Sequence, residues 1–156
     1  MKNVKKWTAH TKEDGLLKSY WKQKGGCILA EVPIGGPGGP GRWPKNCERR
    51  RIDGVRIVSQ SLPKEIYRYG EARDYLQRAI DENAFIELIE VKQKLNRLVI
   101  GQILAGQNMF KREYKVRSKR LTIVCARTDG GLEWVCSNRG ITVCCIPTQN
   151  ERKPIV

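Results

Sequence analysis

Apolar residues recur along this chain in two rhythms, one helical and one strand-like, and the order of those rhythms sets the expected fold. In residues 12–24, Leu16, Leu17, Tyr20 and Trp21 fall at helical spacing, with Thr11 placed to cap the start and Gly25-Gly26 to stop the run. Residues 27–34 read as a first strand. The heptad Gly-Gly-Pro-Gly-Gly-Pro-Gly at 35–41 suits neither regular structure and is expected to be a flexible loop. Residues 51–58 and 84–92 read as two further strands. Between them, in 63–82, Ile66, Tyr69, Ala72, Arg73, Tyr75, Leu76 and Ile80 follow a mostly helical pattern, so an inserted helix is expected. A longer helix over 95–110 follows, with Leu95, Leu98, Val99, Gln102, Ile103, Gly106 and Met109 or Phe110 on one stripe. A strand at 121–127, a turn at 129–131, a short helix through Leu132, Trp134 and Val135, and a last strand at 141–146 complete the order, and Pro147 ends it before a polar tail at 147–156. Helices and strands alternating in this way predict a mixed α/β protein.

At 156 residues the chain is the size of one domain with a single core, expected over about 12–146. Composition adds a partner. Thirty Lys and Arg against sixteen Asp and Glu leave +14, a surplus that points to a polyanion, with nucleic acid ahead of an acidic membrane surface. No apolar run approaches the roughly 18 residues of a spanning helix, so no membrane partner is expected. The opening Met-Lys-Asn-Val-Lys-Lys-Trp has the charge of a secretory leader but not its apolar stretch. Cys27, Cys47, Cys125, Cys136, Cys144 and Cys145 sit mostly in apolar runs. They form no Cys-x-x-Cys pair, and His10 is the one histidine, so inert reduced thiols in a cytoplasmic, intracellular protein are expected rather than a zinc site.

The residues that carry chemistry are Asp53, in Arg-Arg-Arg-Ile-Asp-Gly-Val-Arg-Ile-Val, and Glu90 and Lys92, which close the apolar run Ala-Phe-Ile-Glu-Leu-Ile-Glu-Val-Lys. Strand residues two apart share a face, so Glu90 and Lys92 point together while Val91 turns into the core. An aspartate from a neighbouring strand would add the second carboxylate that a hard cation such as Mg2+ prefers. Asp53 followed by Glu90-x-Lys92 at a strand end, and then a helix, resembles the PD-(D/E)XK nuclease superfamily. The resemblance implies a restriction-endonuclease-like core of order αβββαβ, here with an inserted helix, and a nuclease that hydrolyses DNA with Mg2+, or Mn2+ as substitute. It further implies that Asp53 and Glu90 ligate metal, with the Val91 carbonyl as an additional ligand, and that Lys92 orients the attacking water and steadies charge on the phosphate.

Members of this superfamily often add an acidic residue from the first helix. Glu13 or Asp14 fits that position, Glu31 near the end of the first strand is the rival, and an acid in the first helical turn also serves the helix dipole alone. Some branches place a glutamine on the long helix, which Gln102 matches, followed four residues later by tyrosine, where this chain has Gly106. The chain departs from simpler members in the 36 residues between Asp53 and Glu90 and in carrying Ile52 where the proline of the motif's name would stand.

Two basic clusters surround these residues. Arg42, Lys45, Arg49, Arg50, Arg51 and Arg56 form one, and Lys111, Arg112, Lys115, Arg117, Lys119 and Arg120 the other. Such groups contact phosphate and give salt-sensitive affinity without choosing a sequence. Trp43, on the basic loop, either stacks on a base or folds back on the core. A small basic enzyme of this kind suits structured DNA in repair or recombination. A likeness in size and charge to junction resolvases implies a symmetric homodimer. The rivals are a restriction or defence endonuclease and a binding module without chemistry, and charge alone does not separate DNA from RNA.

Overall fold

The computed structural model describes residues 4–148. The polar tail expected at 147–156 lies outside the described residues from 149 onward. Six strands form one sheet, flanked by helices on both faces, which is the mixed α/β architecture that the resemblance implied.

Helix α1 (Lys12–Lys24) starts at Thr11, whose hydroxyl accepts the Asp14 N–H at 3.0 Å while the Asp14 carboxylate accepts the Thr11 N–H at 3.2 Å. This reciprocal cap satisfies two donors that a helix start leaves open. Strands β1 (Cys27–Gly35) and β2 (Arg49–Val58) pair antiparallel, and β2 pairs antiparallel with β4 (Phe85–Lys94). Helix α3 (Arg97–Tyr114) crosses to β5 (Arg120–Arg127), and α4 (Gly130–Asn138) crosses to β6 (Ile141–Cys145), so β4, β5 and β6 run parallel. With β3 (Ile66–Arg68) at one edge, the spatial order is β3-β1-β2-β4-β5-β6.

The segment expected as one inserted helix divides in two. Residues Ile66–Arg68 form strand β3, which pairs in parallel with Ile28, Leu29 and Ala30, and after a single 3-10 turn at Tyr69–Glu71 the α-helix is confined to Arg73–Asp81, as α2. Ile66 and Tyr67 are buried against the sheet, and that non-local pairing outweighs the local helical rhythm.

Two apolar clusters lie on opposite faces. Leu16, Leu17 and Tyr20 of α1 cover Ile28, Ala30, Ile66, Ile89, Val91, Val124 and Ala126. The other face is covered by α2, α3 and α4 through residues such as Leu76, Ile103, Phe110 and Cys136. Successive strand residues alternate between the clusters, as the pleat requires, but β1 and β2 each break phase once. Cys27 and Leu29 face the α3 side, and so do Val32 and Ile34; Val55 and Ile57 face it, and so does Ile52. The phase changes at Glu31 in β1 and at Asp53 in β2, which stand opposite one another in a register that is otherwise unbroken. Glu31 makes the change with φ of 58°, a left-handed conformation rare for a residue with a Cβ.

Gly54 lies inside β2 and forms no turn. A Cβ there would stand 3.1 Å from Leu17 Cδ1, so the missing side chain lets α1 ride close to the sheet. Glu13, one turn before Leu17 on the same helix face, is thereby brought close to Asp53 and Val91 of the central strands.

The cysteines are all free thiols. Cys27, Cys125 and Cys136 are buried as expected, whereas Cys145 is exposed because β6 is a sheet edge.

Candidate active site

The β2–β4 ladder ends at the pair Gly54–Ile89. One step further in the same register, Asp53 faces Glu90, and the Asp53 carboxylate replaces the main-chain partner by accepting the Val91 N–H at 2.8 Å. Two carboxylates therefore meet where the strands part. Glu90 is 7% exposed, with α3 above it at Gly106, where a Cβ would stand 3.9 Å from Glu90 Oε1. Burial first, and the neighbouring Asp53 second, push the Glu90 carboxyl up to about 10, while the Lys92 ammonium pulls the other way.

A cavity of about 630 Å³ opens over this pair, and Asp53, Glu90, Val91, Lys92, Glu13 and Gln102 all border it. Its helical wall is built from small residues of α3, Gly101, Ala105 and Gly106, which leave the space unfilled. Arg50, Arg51 and Arg97 supply positive charge at its edge. Arg97 escaped the sequence reading. It opens α3 directly after the Asn96 cap, and a cation at that positive helix end is unfavourable unless an anion comes to it, which was the available signal. Leu98, expected on the buried stripe, is 62% exposed at the cavity because the neighbouring Val99 and Ile100 take the packing positions.

The three extra carboxylates separate by position. Asp14 is occupied by the helix cap, accepting the main-chain N–H of Thr11 and, at 2.9 Å, of His10. Glu31 lies 3.7 Å from Arg51 and 3.4 Å from Arg68, and borders a small hollow of about 60 Å³ on the α1 face that Asp53 and Val91 also border. Glu13 borders both that hollow and the main cavity.

The basic residues also sort. Arg56 does not face solvent: it is 8% exposed, donates to Glu87 Oε1 at 3.1 Å, and holds the carbonyls of Lys24 and Gly25 at the end of α1. Its expected phosphate contact is corrected to a structural clasp, because β2 turns position 56 toward α1. Arg42, Lys45 and Arg49 are exposed along the segment leading into β2. Lys111, Arg112, Lys115 and Arg117 border a separate groove at the end of α3. Lys119 and Arg120 stand at the start of β5, where Arg120 is level with Glu87, three residues short of Glu90 and so about 10 Å away along the strand.

The Gly-Pro loop is tied to α3 rather than hanging free. Arg112 donates to the carbonyls of Gly41 at 2.8 Å and Arg42 at 2.9 Å, and its guanidinium lies 4.2 Å from the Trp43 ring centroid. Trp43 Nε1 donates to Glu113 at 2.9 Å. Trp43 thus lies against α3, outside both apolar clusters, with one ring face covered by arginine.

Among the described residues no group of three or more His, Cys, Asp and Glu side chains forms a preformed metal cage. A pair of carboxylates facing an open cavity with charged residues at its border still fits a hard divalent ion, since Mg2+ commonly takes only one or two protein carboxylates and completes its shell with water and phosphate.

The fold is a single mixed α/β sheet of six strands flanked by helices, with two carboxylates beneath a basic-edged cavity where β2 and β4 part. No family model matches the chain, and no curated protein matches it. Among solved structures, a repair endonuclease from Pyrococcus abyssi overlays with a TM-score of 0.47 at 12% identity, covering 90% of this chain and 50% of that one. EndoMS in its apo form overlays with a TM-score of 0.35 at 12% identity, covering 91% of this chain and 98% of its own. This chain thus spans about half the length of the Pyrococcus protein. At that depth neither likeness bears on the chemistry, which rests on the chain's own geometry.

Proposed function

We propose that this chain is a divalent-metal-dependent endonuclease that hydrolyses DNA phosphodiester bonds. The observation that carries the reading is the meeting of Asp53 and Glu90 where β2 and β4 part, with Lys92 beside them and a basic-edged cavity above. Mg2+, or Mn2+ in its place, would be held by Asp53, Glu90 and the Val91 carbonyl with Glu13 as the added acid, and supplies an acidified water and a Lewis acid for the phosphoryl oxygen. The chain's own groups do the rest. Asp53 is fixed by its bond from the Val91 N–H and so presents a set direction to the cavity. Lys92 places a positive charge on the same face, where it offsets charge building on the phosphate. Arg50, Arg51 and Arg97 hold the flanking phosphates, and Gln102 offers an amide to the substrate from the helical wall.

Groups that grip phosphate do not read bases. That suits an enzyme selecting DNA by structure, in repair or recombination, more than one cutting a fixed sequence. Action on a four-way junction would require two copies, and a homodimer belongs to that form of the reading.

The test is a panel of labelled linear, nicked, flapped, single-stranded and junction DNAs with matched RNA, each with and without Mg2+ or Mn2+. Metal-dependent cutting of at least one DNA is expected, with its loss in Asp53→Ala, Glu90→Ala and Lys92→Ala. No cutting of any DNA, or equal cutting by the triple variant, overturns the proposal.

A further inference from the structure

The groove at the C-terminal end of α3 lies apart from the cavity. It encloses about 460 Å³ and is bordered by Asn108, Lys111, Arg112, Lys115, Val116 and Arg117. No acidic residue borders it. Arg112 contributes only its flank, since its guanidinium is spent on the Gly41 and Arg42 carbonyls and the Trp43 ring. Lys111, Lys115 and Arg117 differ. Among the described residues they make no ion pair.

The backbone builds this arrangement. Lys115 ends α3 in the left-handed conformation, φ 56°, with its N–H on the Lys111 carbonyl, and this sharp turn brings Arg117 back to the wall that Lys111 forms. Three like charges gathered without a counter-charge repel one another, a cost that an arriving polyanion removes.

Helix α3 joins the groove to the cavity. Ala105 and Met109 face the cavity, and Asn108 and Lys111 the groove. From Ala105 to Lys111 and Lys115 the axial distance is about 9–15 Å at 1.5 Å per residue. That corresponds to roughly three to four nucleotides at about 3.4 Å each.

We propose that this groove is a second backbone-binding site, taking phosphates of the same nucleic acid roughly three to four nucleotides from the bond in the cavity. It rests on the reading of the cavity as a nucleic-acid cleavage site. Lys111, Lys115 and Arg117 act as phosphate anchors, and α3 is the ridge the strand crosses between cavity and groove.

The test measures binding without chemistry, in EDTA, as a function of salt and duplex length. Lys111→Ala/Lys115→Ala/Arg117→Ala is compared with Lys12→Ala/Lys18→Ala/Lys22→Ala, which removes equal charge from α1. The groove variant is expected to lower the slope of log K against log salt by about 2.7 on a long duplex, three phosphate contacts at about 0.9 each. The α1 variant should leave the slope near the parent's. On a duplex too short to reach from cavity to groove, the groove variant should match the parent. Equal slope losses in both variants, no loss in either, or an equal loss on the short duplex overturns the proposal. Absence of cleavage on every DNA would sink the nuclease reading while leaving these binding results to stand or fall alone.

Discussion

Glu87 and Glu90 lie three residues apart on β4, both are buried, and they occupy opposite faces of the sheet. Glu87, 0% exposed, accepts from Arg56 at 3.1 Å, from the Tyr20 hydroxyl at 2.8 Å and from the Thr122 hydroxyl at 2.6 Å. Every bond around it is closed by the protein itself. Burial, then the bond to Glu87, holds the Tyr20 hydroxyl far above its ordinary range, so the phenol remains a donor. Glu90 has no such shell. It faces a second carboxylate and an open cavity, and the Lys92 ammonium offsets part of its burial. A buried acid that the fold satisfies is part of the scaffold. One that the fold leaves in conflict is poised for a partner the chain does not contain.

The largest effect separating the two should be on activity. Asp53→Ala, Glu90→Ala or Lys92→Ala is expected to lower cleavage by at least about 10²-fold, with thermal melting showing that each variant is folded. Glu87→Gln, if it folds, should keep most of its activity. Comparable losses from Glu87→Gln and Glu90→Ala would erase the distinction.

Stability should respond in the opposite order. Removing Arg56 or Glu87 alone leaves a buried charge without its partner, which costs about 3–5 kcal/mol. Urea unfolding of Arg56→Ala and Glu87→Ala would reveal it, whereas Glu90→Gln should match or exceed the parent at neutral pH.

The pH dependence sharpens the contrast. The Glu90 carboxyl is raised from 4.5 to about 10 in the folded chain, so the folded state keeps a proton that the unfolded state releases. The stability it contributes is whole below about 4.5 and is lost as pH rises toward 10. Denaturant midpoints should therefore fall with pH in the parent more steeply than in Glu90→Gln. Metal binding needs the deprotonated carboxylate, so Mn2+ uptake near pH 7 should release protons, seen as a binding heat that changes with the buffer's ionisation enthalpy. A buffer-independent heat would contradict this.

The smallest effect concerns Glu31, opposite Asp53. Its left-handed backbone suits glycine, so Glu31→Gly should gain about 1 kcal/mol from relief of strain and lose up to about 1 kcal/mol for each exposed pair to Arg51 and Arg68. Net stability should stay close to the parent's and cleavage should be kept, whereas Glu31→Val loses on both counts. A cleavage loss in Glu31→Gly with none in Glu13→Ala would make Glu31, not Glu13, the added acid.

Much of this was legible in the chain. Thr11, Gly25 and the periodicity between them marked α1 within its observed bounds, because capping and amphipathic spacing are local. The strands carrying Asp53 and Glu90 were legible as apolar runs, and the two-residue spacing put Glu90 and Lys92 on one face. Strand β3 was not, because Ile66 and Tyr67 take their conformation from β1, far away in sequence. Nor was the fate of Arg56, which shares a basic run with Arg50 but points to the opposite face because β2 changes phase at Asp53.

The sequence by itself determined the order of elements apart from β3, the excess of positive charge and the residue types of the site, since these follow from local periodicity and composition. Only the tertiary structure decided which acid is satisfied and which is not. Glu87 and Glu90 sit in similar apolar surroundings along β4, and what separates them is the strand, helix and side chain that each meets across the sheet.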